Sequence, residues 1–245
     1  MKRVMLTVAY DGTNYHGWQV QPNGETIEGV LNRCLSLLLG EKIEVIGASR
    51  TDSGVHALGN IAVFDTETSI PAEKIAYALN ARLPEDIKVQ ESKEVEPSFH
   101  PRHCDSRKTY EYRIYNAAFP MPTQRLYAHF SYTPYDIDRM CEAAAYFVGT
   151  HDFKSFCSTD AQVENTVRQI EDIKVWKEEN MITIRVTGRG FLYNMVRIMA
   201  GTLMEVGRGY KEPQEIERIL EAKDRNAAGP TAPACGLTLI KYEFL

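Results

Sequence analysis

Gly47-Ala48-Ser49-Arg50-Thr51-Asp52-Ser53-Gly54-Val55-His56-Ala57 joins two apolar runs that both read as strands, Lys42 to Ser49 and Asn60 to Thr66. A polar loop between core strands is a place for chemistry, because the strands fix it while water and substrate still reach it. Asp52 is the residue to explain. Asp-Ser-Gly is also a common turn, in which the Asp side chain bonds a backbone N–H and Gly54 takes a positive φ. Both readings fit the loop taken by itself.

Outward from the loop, the pattern on its N-terminal side is a strand from Arg3 to Tyr10, with Val4, Leu6 and Val8 alternating, then a turn-rich segment Asp11 to Trp18. A helix opening near Glu25 or Thr26 carries Ile27, Val30, Leu31, Cys34, Leu35 and Leu38 at helical spacing, and Gly40 suits the position past its end. On the other side, a short helix from about Pro71 buries Ile75, Ala78, Leu79 and Leu83 and leads to a strand at Ile87 to Val95. The order is β-α-β-β-α-β.

A long strand then runs to about Asn116, and a Pro-containing loop follows. The next helix carries Ile137, Met140, Cys141, Ala144, Phe147 and Val148 on one face. Strands at Val167 to Trp176 and Met181 to Thr187, a helix after Gly190, another after Pro213 and a strand at Leu237 to Phe244 complete the chain. This repeats the first half's order with one added helix. The expected architecture is therefore α+β: two ferredoxin-like halves, 1–100 with the Asp52 loop and 101–245 with the basic strand and an Arg-bearing helix. Joined edge to edge, they make one extended antiparallel sheet with helices on one face and an open cleft on the other. Tyr110, Tyr112 and Ile114 alternate along the basic strand, either as part of an aromatic floor to that cleft or as packing residues.

Composition narrows the class. The 245 residues, 44% hydrophobic and 25% charged, describe a globular protein. No apolar run approaches the ~20 residues of a membrane helix, and Met1-Lys2-Arg3-Val4 leads straight into a strand, so the expected location is the cytoplasm. Five scattered cysteines without a Cys-x-x-Cys pair read as reduced thiols. The net charge is −5, yet Phe99 to Arg113 carries +2 and Arg185 to Lys211 carries +4, which leaves −11 for the rest. Basic windows on an acidic body fit a nucleic-acid surface. Chance clustering on solvated faces gives the same count.

In the segment Gly188-Arg189-Gly190-Phe191-Leu192-Tyr193-Asn194-Met195-Val196-Arg197, helical spacing from Gly190 onward puts Arg197 at the border of the core. Pattern alone leaves it either a structural ion pair or the partner of a functional Asp.

Taken together, these motifs resemble the tRNA pseudouridine synthase A (TruA) family. The match runs from Tyr10-Asp11-Gly12-Thr13 and Gly17-Trp18-Gln19-Val20-Gln21 through Arg50-Thr51-Asp52-Ser53-Gly54-Val55-His56-Ala57. It continues through Arg107-Lys108-Thr109-Tyr110-Glu111-Tyr112 to Gly190–Arg197 with Gly201. Departures in the Gly190 segment, such as Asn194, touch no residue assigned to chemistry.

The resemblance implies isomerisation of uridine to pseudouridine in the anticodon stem-loop of tRNA, at tRNA positions 38 to 40, without cofactor or metal, by a homodimer. It makes Asp52 the nucleophile. Arg197 then holds that carboxylate ionised, since an adjacent cation lowers an Asp pKa by roughly 1–3 units. Tyr110 stacks on the extruded base and places a hydroxyl near C5. Arg50 fills the gap left in the RNA or binds the displaced phosphate, and Arg107, Lys108 and Arg189 contact the backbone.

Other classes fit less well. Arg189-Gly190-Phe191 is superficially similar to the RNA-recognition-motif signature of a non-catalytic RNA-binding module, but Leu192 follows where that signature has Gly or Ala. A hydrolase built on Asp52, Ser53 and His56 would draw its triad from one turn, whereas triads are assembled from separate parts of a chain. His100 and His103 lack further ligands at metal spacing and read as solvated or phosphate-facing.

Overall fold

The structure, a computed structural model, describes residues 1–159 and 163–245. The chain divides into two compact units, Met1–Asp105 with Leu239–Leu245, and Ser106–Thr238. The α+β class is as the pattern predicts.

The first unit contains β1 (Lys2–Tyr10), α1 (Ile27–Leu39), β2 (Ile46–Gly47), β3 (His56–Thr66), α2 (Ala72–Asn80) and β4 (Ile87–Val95). Its strands pair antiparallel in the order β4-β1-β3, with β2 also on β3. Val4, Leu6 and Val8 alternate inward from β1 and are fully buried, as are Leu31 and Leu35 of α1 and Ile75 and Leu79 of α2. The other sheet face is not bare: Met5, Ala48, Ile61 and Val63 form a second cluster with Phe99 and Tyr242 against it.

Helix α1 starts and stops where the sequence places it, for local reasons. The Thr26 side chain caps the N-terminus by accepting from the Gly29 N–H, and Gly40 takes φ 71° at the C-cap. The predicted strand from Lys42 to Ser49, by contrast, shrinks to Ile46–Gly47. Ile43 and Val45 are buried, but their N–H groups donate to Ser36 Oγ at 2.9 Å and Asn32 Oδ1 at 2.8 Å. Side chains of α1 thus take donors that would otherwise enter the ladder.

The second unit contains β5 (Ser106–Asn116), β6 (His129–Ser131), α3 (Ile137–Ala145), β7 (Gly149–Asp152), β8 (Val167–Glu178), β9 (Met181–Arg189), α4 (Met195–Gly207) and α5 (Glu215–Ala222). The C-terminal β10 (Leu237–Phe244) begins here and ends in the first unit. The main order is β5-β9-β8-β7, antiparallel, with β6 parallel to β5. Short, non-alternating β6 and β7 leave no periodic signal in the sequence.

Tyr110, Tyr112 and Ile114 do alternate, but they join the packed face. They oppose Val186, Ile184 and Ile182, and Tyr112, Ile114 and all three partners are fully buried. The Tyr112 hydroxyl donates to Pro233 O at 2.9 Å, and burial raises its pKa. Packing is therefore the right reading for Tyr112 and Ile114. The opposite row carries Glu111, almost fully buried, which accepts from Arg185 Nε at 2.8 Å and Arg113 Nη2 at 3.0 Å. Two arginines of the basic windows thereby share one carboxylate, which cancels one of their two charges.

Candidate active site

Asp52 lies half-buried between buried Thr51 and exposed Ser53, with Arg50 exposed two residues earlier. The segment after β1 holds this loop by its backbone. The Trp18 N–H donates to Thr51 O at 3.0 Å, and the Gly54 N–H to Tyr15 O at 3.3 Å. Ser53 Oγ donates to the same Tyr15 carbonyl at 3.1 Å. Within the loop the Val55 N–H closes a turn onto Asp52 O at 3.1 Å, and Gly54 has the positive φ, 78°, that this turn requires. The Asp-Ser-Gly turn is thus real, and it presents the Asp side chain.

Underneath, a buried polar network fixes the loop's register. The Tyr10 hydroxyl and Thr51 Oγ1 share a hydrogen bond of 2.7 Å, and Asn60 Nδ2 donates to the Tyr10 oxygen at 3.3 Å and to Ser49 O at 2.9 Å. Burial holds the Tyr10 hydroxyl protonated by raising its pKa. Gly12 passes so close that a Cβ there would lie 2.0 Å from Val55 O. His56 Nδ1 sits 3.1 Å from both the Gly12 N–H and Asp11 Oδ1. Tyr10→Phe should leave the Thr51 and Asn60 groups short of a partner and lower the unfolding free energy by about 1–3 kcal/mol. A fall in the urea midpoint at constant m is the expected readout, and an unchanged midpoint would remove Tyr10 from the loop's support.

In the second unit, the structure brings Tyr110 together with the segment joining β9 to α4. Tyr110 is 8% exposed, and its ring meets Phe191 edge-on with centroids 5.1 Å apart. Helix α4 opens only at Met195, later than its apolar spacing predicts, because Asn194 adopts the left-handed conformation at φ 60°. That conformation has a use. Asn194 Nδ2 donates to Ser158 Oγ at 2.7 Å while its Oδ1 accepts from Arg197 Nη1 at 2.7 Å. Arg197 Nε donates to Ala232 O at 2.8 Å, and the Ala232 N–H returns a bond to Arg197 O at 3.1 Å. Asn194 thus does touch a residue assigned to chemistry: it aims Arg197.

The other basic residues cluster at one end of β5 and β9. Arg107 Nη1 lies 3.4 Å from Glu171 Oε2, and Arg189 Nε lies 2.8 Å from Glu171 Oε1. Lys108, opposite Gly188, is half-buried. Arg168 is an addition that charge counting missed, since it falls outside both basic windows. Its Nη1 donates to Asn165 O at 2.9 Å and Val167 O at 2.7 Å, and burial lowers its pKa. Elsewhere His100 and His103 stack with centroids 3.9 Å apart. Among the described residues no three His, Cys, Asp or Glu side chains gather as a metal site, and no helix is long and apolar enough to cross a membrane.

Comparison with known proteins gives the chain's family. The family model for tRNA pseudouridine synthase matches residues 6–103 and 143–244. The chain is 51% identical over 245 residues to a tRNA pseudouridine synthase A of Thermoanaerobacter sp. (strain X514), covering 100% of both chains. It is 47% identical over 244 residues to that of Acetivibrio thermocellus, again covering 100% of both. The corresponding protein of Halalkalibacterium halodurans is 45% identical over 238 residues, covering 97% of this chain and 90% of that one.

Proposed function

The chain belongs to the tRNA pseudouridine synthase family, and from that premise we propose that it isomerises uridines 38 to 40 of the anticodon stem-loop with Asp52 as nucleophile. The observation that carries the assignment is the held loop: a half-buried carboxylate whose flanking backbone is pinned by Trp18, Tyr15 and the Tyr10–Asn60 network. Preorganised positioning of this kind is what a reaction with a detached intermediate needs.

The isomerisation breaks the N1–C1′ bond, turns the uracil and forms a C5–C1′ bond, and the C5 proton leaves as N1 gains one. No electrons are exchanged, so the reading requires no oxidant or reductant, and it assigns no step to a cofactor or metal. Asp52 forms and later releases a covalent bond, for which a carboxylate is both a nucleophile and a leaving group. Attack at the ribose C1′ and attack at uracil C6 both fit this role. Arg197, aimed by Asn194 and Ala232, supplies positive charge that favours the ionised Asp52. Tyr110 gives the extruded base a ring to stack on and a hydroxyl for the C5 proton. Arg50 serves the vacated position in the RNA, and Arg107, Lys108 and Arg189 serve the phosphates. The same reading takes a cytoplasmic homodimer with one tRNA crossing both chains.

Tritium release from tRNA labelled at uridine C5 tests it, because joining C1′ to C5 expels that hydrogen and no other carbon donor is supplied. Release in excess chelator, abolished when the uridines at tRNA positions 38 to 40 are replaced by cytidine, is expected. Tight binding without release would make the chain an RNA-binding module. Loss of release on chelation would overturn the metal-free chemistry.

A further inference from the structure

The β8–β9 ladder contains an irregularity where the charges meet. Gln169 pairs with Arg189 and Ile170 with Gly188, but the next pair is Asp172 with Thr187, so Glu171 is the extra residue of a bulge. A bulge interrupts the alternation of a strand and re-aims the side chain it carries. The strands are tight here: a Cβ on Gly188 would stand 2.6 Å from Gln169 O. Glu171 presents one carboxylate oxygen to Arg189 of β9, at 2.8 Å, and the other to Arg107 of β5, at 3.4 Å. The three side chains keep 20%, 49% and 36% of their surface exposed, in the order Glu171, Arg189, Arg107.

Ion pairs this exposed contribute little to stability. Their geometry says more. Two oxygens of one anion bridging two guanidinium groups is also how a phosphodiester would be held, through its two non-bridging oxygens and at the same single charge. We propose that Glu171 occupies, in the RNA-free enzyme, the place of an RNA phosphodiester between Arg107 and Arg189, and that the RNA displaces it. The inference rests on the reading of these arginines as backbone contacts.

The displaced carboxylate stays beside the phosphate, so the trio offers a net +1 rather than +2. The hydrogen bond from Arg189, and then that from Arg107, hold the Glu171 carboxyl below its ordinary pKa, which keeps it an ionised competitor. Glu171 therefore tempers affinity for any phosphate backbone and leaves attachment dependent on the other contacts of a correctly folded tRNA.

Glu171→Gln keeps the shape and removes the charge. Equilibrium binding of tRNA across a salt series should show about tenfold tighter binding at low salt. The slope of log K against log salt should steepen by about 0.7–0.9 of a unit, the change for one more phosphate neutralised. Turnover at saturating tRNA should stay at the wild-type value. Glu171→Asp, too short to bridge both arginines but still charged, should give the intermediate affinity with the wild-type slope. Unchanged affinity and slope in a folded Glu171→Gln protein would overturn the proposal, and so would weaker binding, which would make Glu171 a scaffold for the arginines. Pseudouridine formation by the wild type is read separately, so failure of the isomerase reading would not be mistaken for failure of this one.

Discussion

Asp52→Ala is expected to lower turnover by about 10⁴-fold or more while tRNA binding stays within about a factor of ten, or 1.4 kcal/mol. The separation follows from how the loop is held. The Thr51, Asp52 and Tyr15 carbonyls and the Gly54 N–H that pin it are backbone groups, and the Tyr10–Thr51–Asn60 network lies below it. Truncating a half-buried side chain at position 52 leaves all of these in place. What is lost under the proposed reading is the bond-forming oxygen, and Asp52 is the one carboxylate of the loop. Asp52→Asn, with the same volume and no nucleophilic oxygen, should match Asp52→Ala. Single-turnover rates, with affinity measured beside them, decide it: equal activity in either variant would remove Asp52 from the chemistry.

Arg197→Ala should lower turnover at saturating tRNA by about 10²- to 10³-fold, the range for deleting one preorganised electrostatic group. Its affinity for tRNA and the salt dependence of binding should hardly change. A stability loss of about 1–3 kcal/mol should accompany it, because the Ala232 carbonyl and Asn194 Oδ1 both lose their donor. Arg197→Lys keeps the charge but not the fork that reaches Ala232 and Asn194 together, so it should recover only part of the rate. If Arg197→Ala instead flattened the salt slope and left saturated turnover intact, Arg197 would be a phosphate contact.

The elements that the sequence reveals are those governed by neighbours in the chain. Thr26 and Gly40 bound α1 by capping and backbone conformation, and Val4, Leu6 and Val8 face the core because a strand alternates. The Asp52 loop was legible for the same reason: its turn needs only Gly54 and its own carbonyl. Features that depend on distant partners were not. Nothing local shows that Asn32 and Ser36 will take the donors of Val45 and Ile43, or that Asn194 will turn left-handed and serve Arg197. The alternation of Tyr110, Tyr112 and Ile114 was readable, whereas the side that the helices cover was not. Charge counting treated Arg185 and Arg189 alike, though one lies against buried Glu111 and the other against Glu171, a residue whose aim depends on a bulge with no sequence signature.

The division of the chain has a bearing on its synthesis. Residues 239–245 belong to the first unit, where Tyr242 packs on the Met5 cluster, its hydroxyl donates to Pro101 O at 2.8 Å, and the Leu245 N–H donates to Asp105 O at 3.0 Å. A ribosome that has finished residue 105 must translate all of the second unit before these residues emerge, which at cellular elongation rates takes on the order of ten seconds. Through that interval the nascent half bearing the Asp52 loop lacks its β10 segment, and the second unit, begun later, has its full set of residues first. Completion of the half that carries Asp52 thereby waits until residues 239–245 have been made.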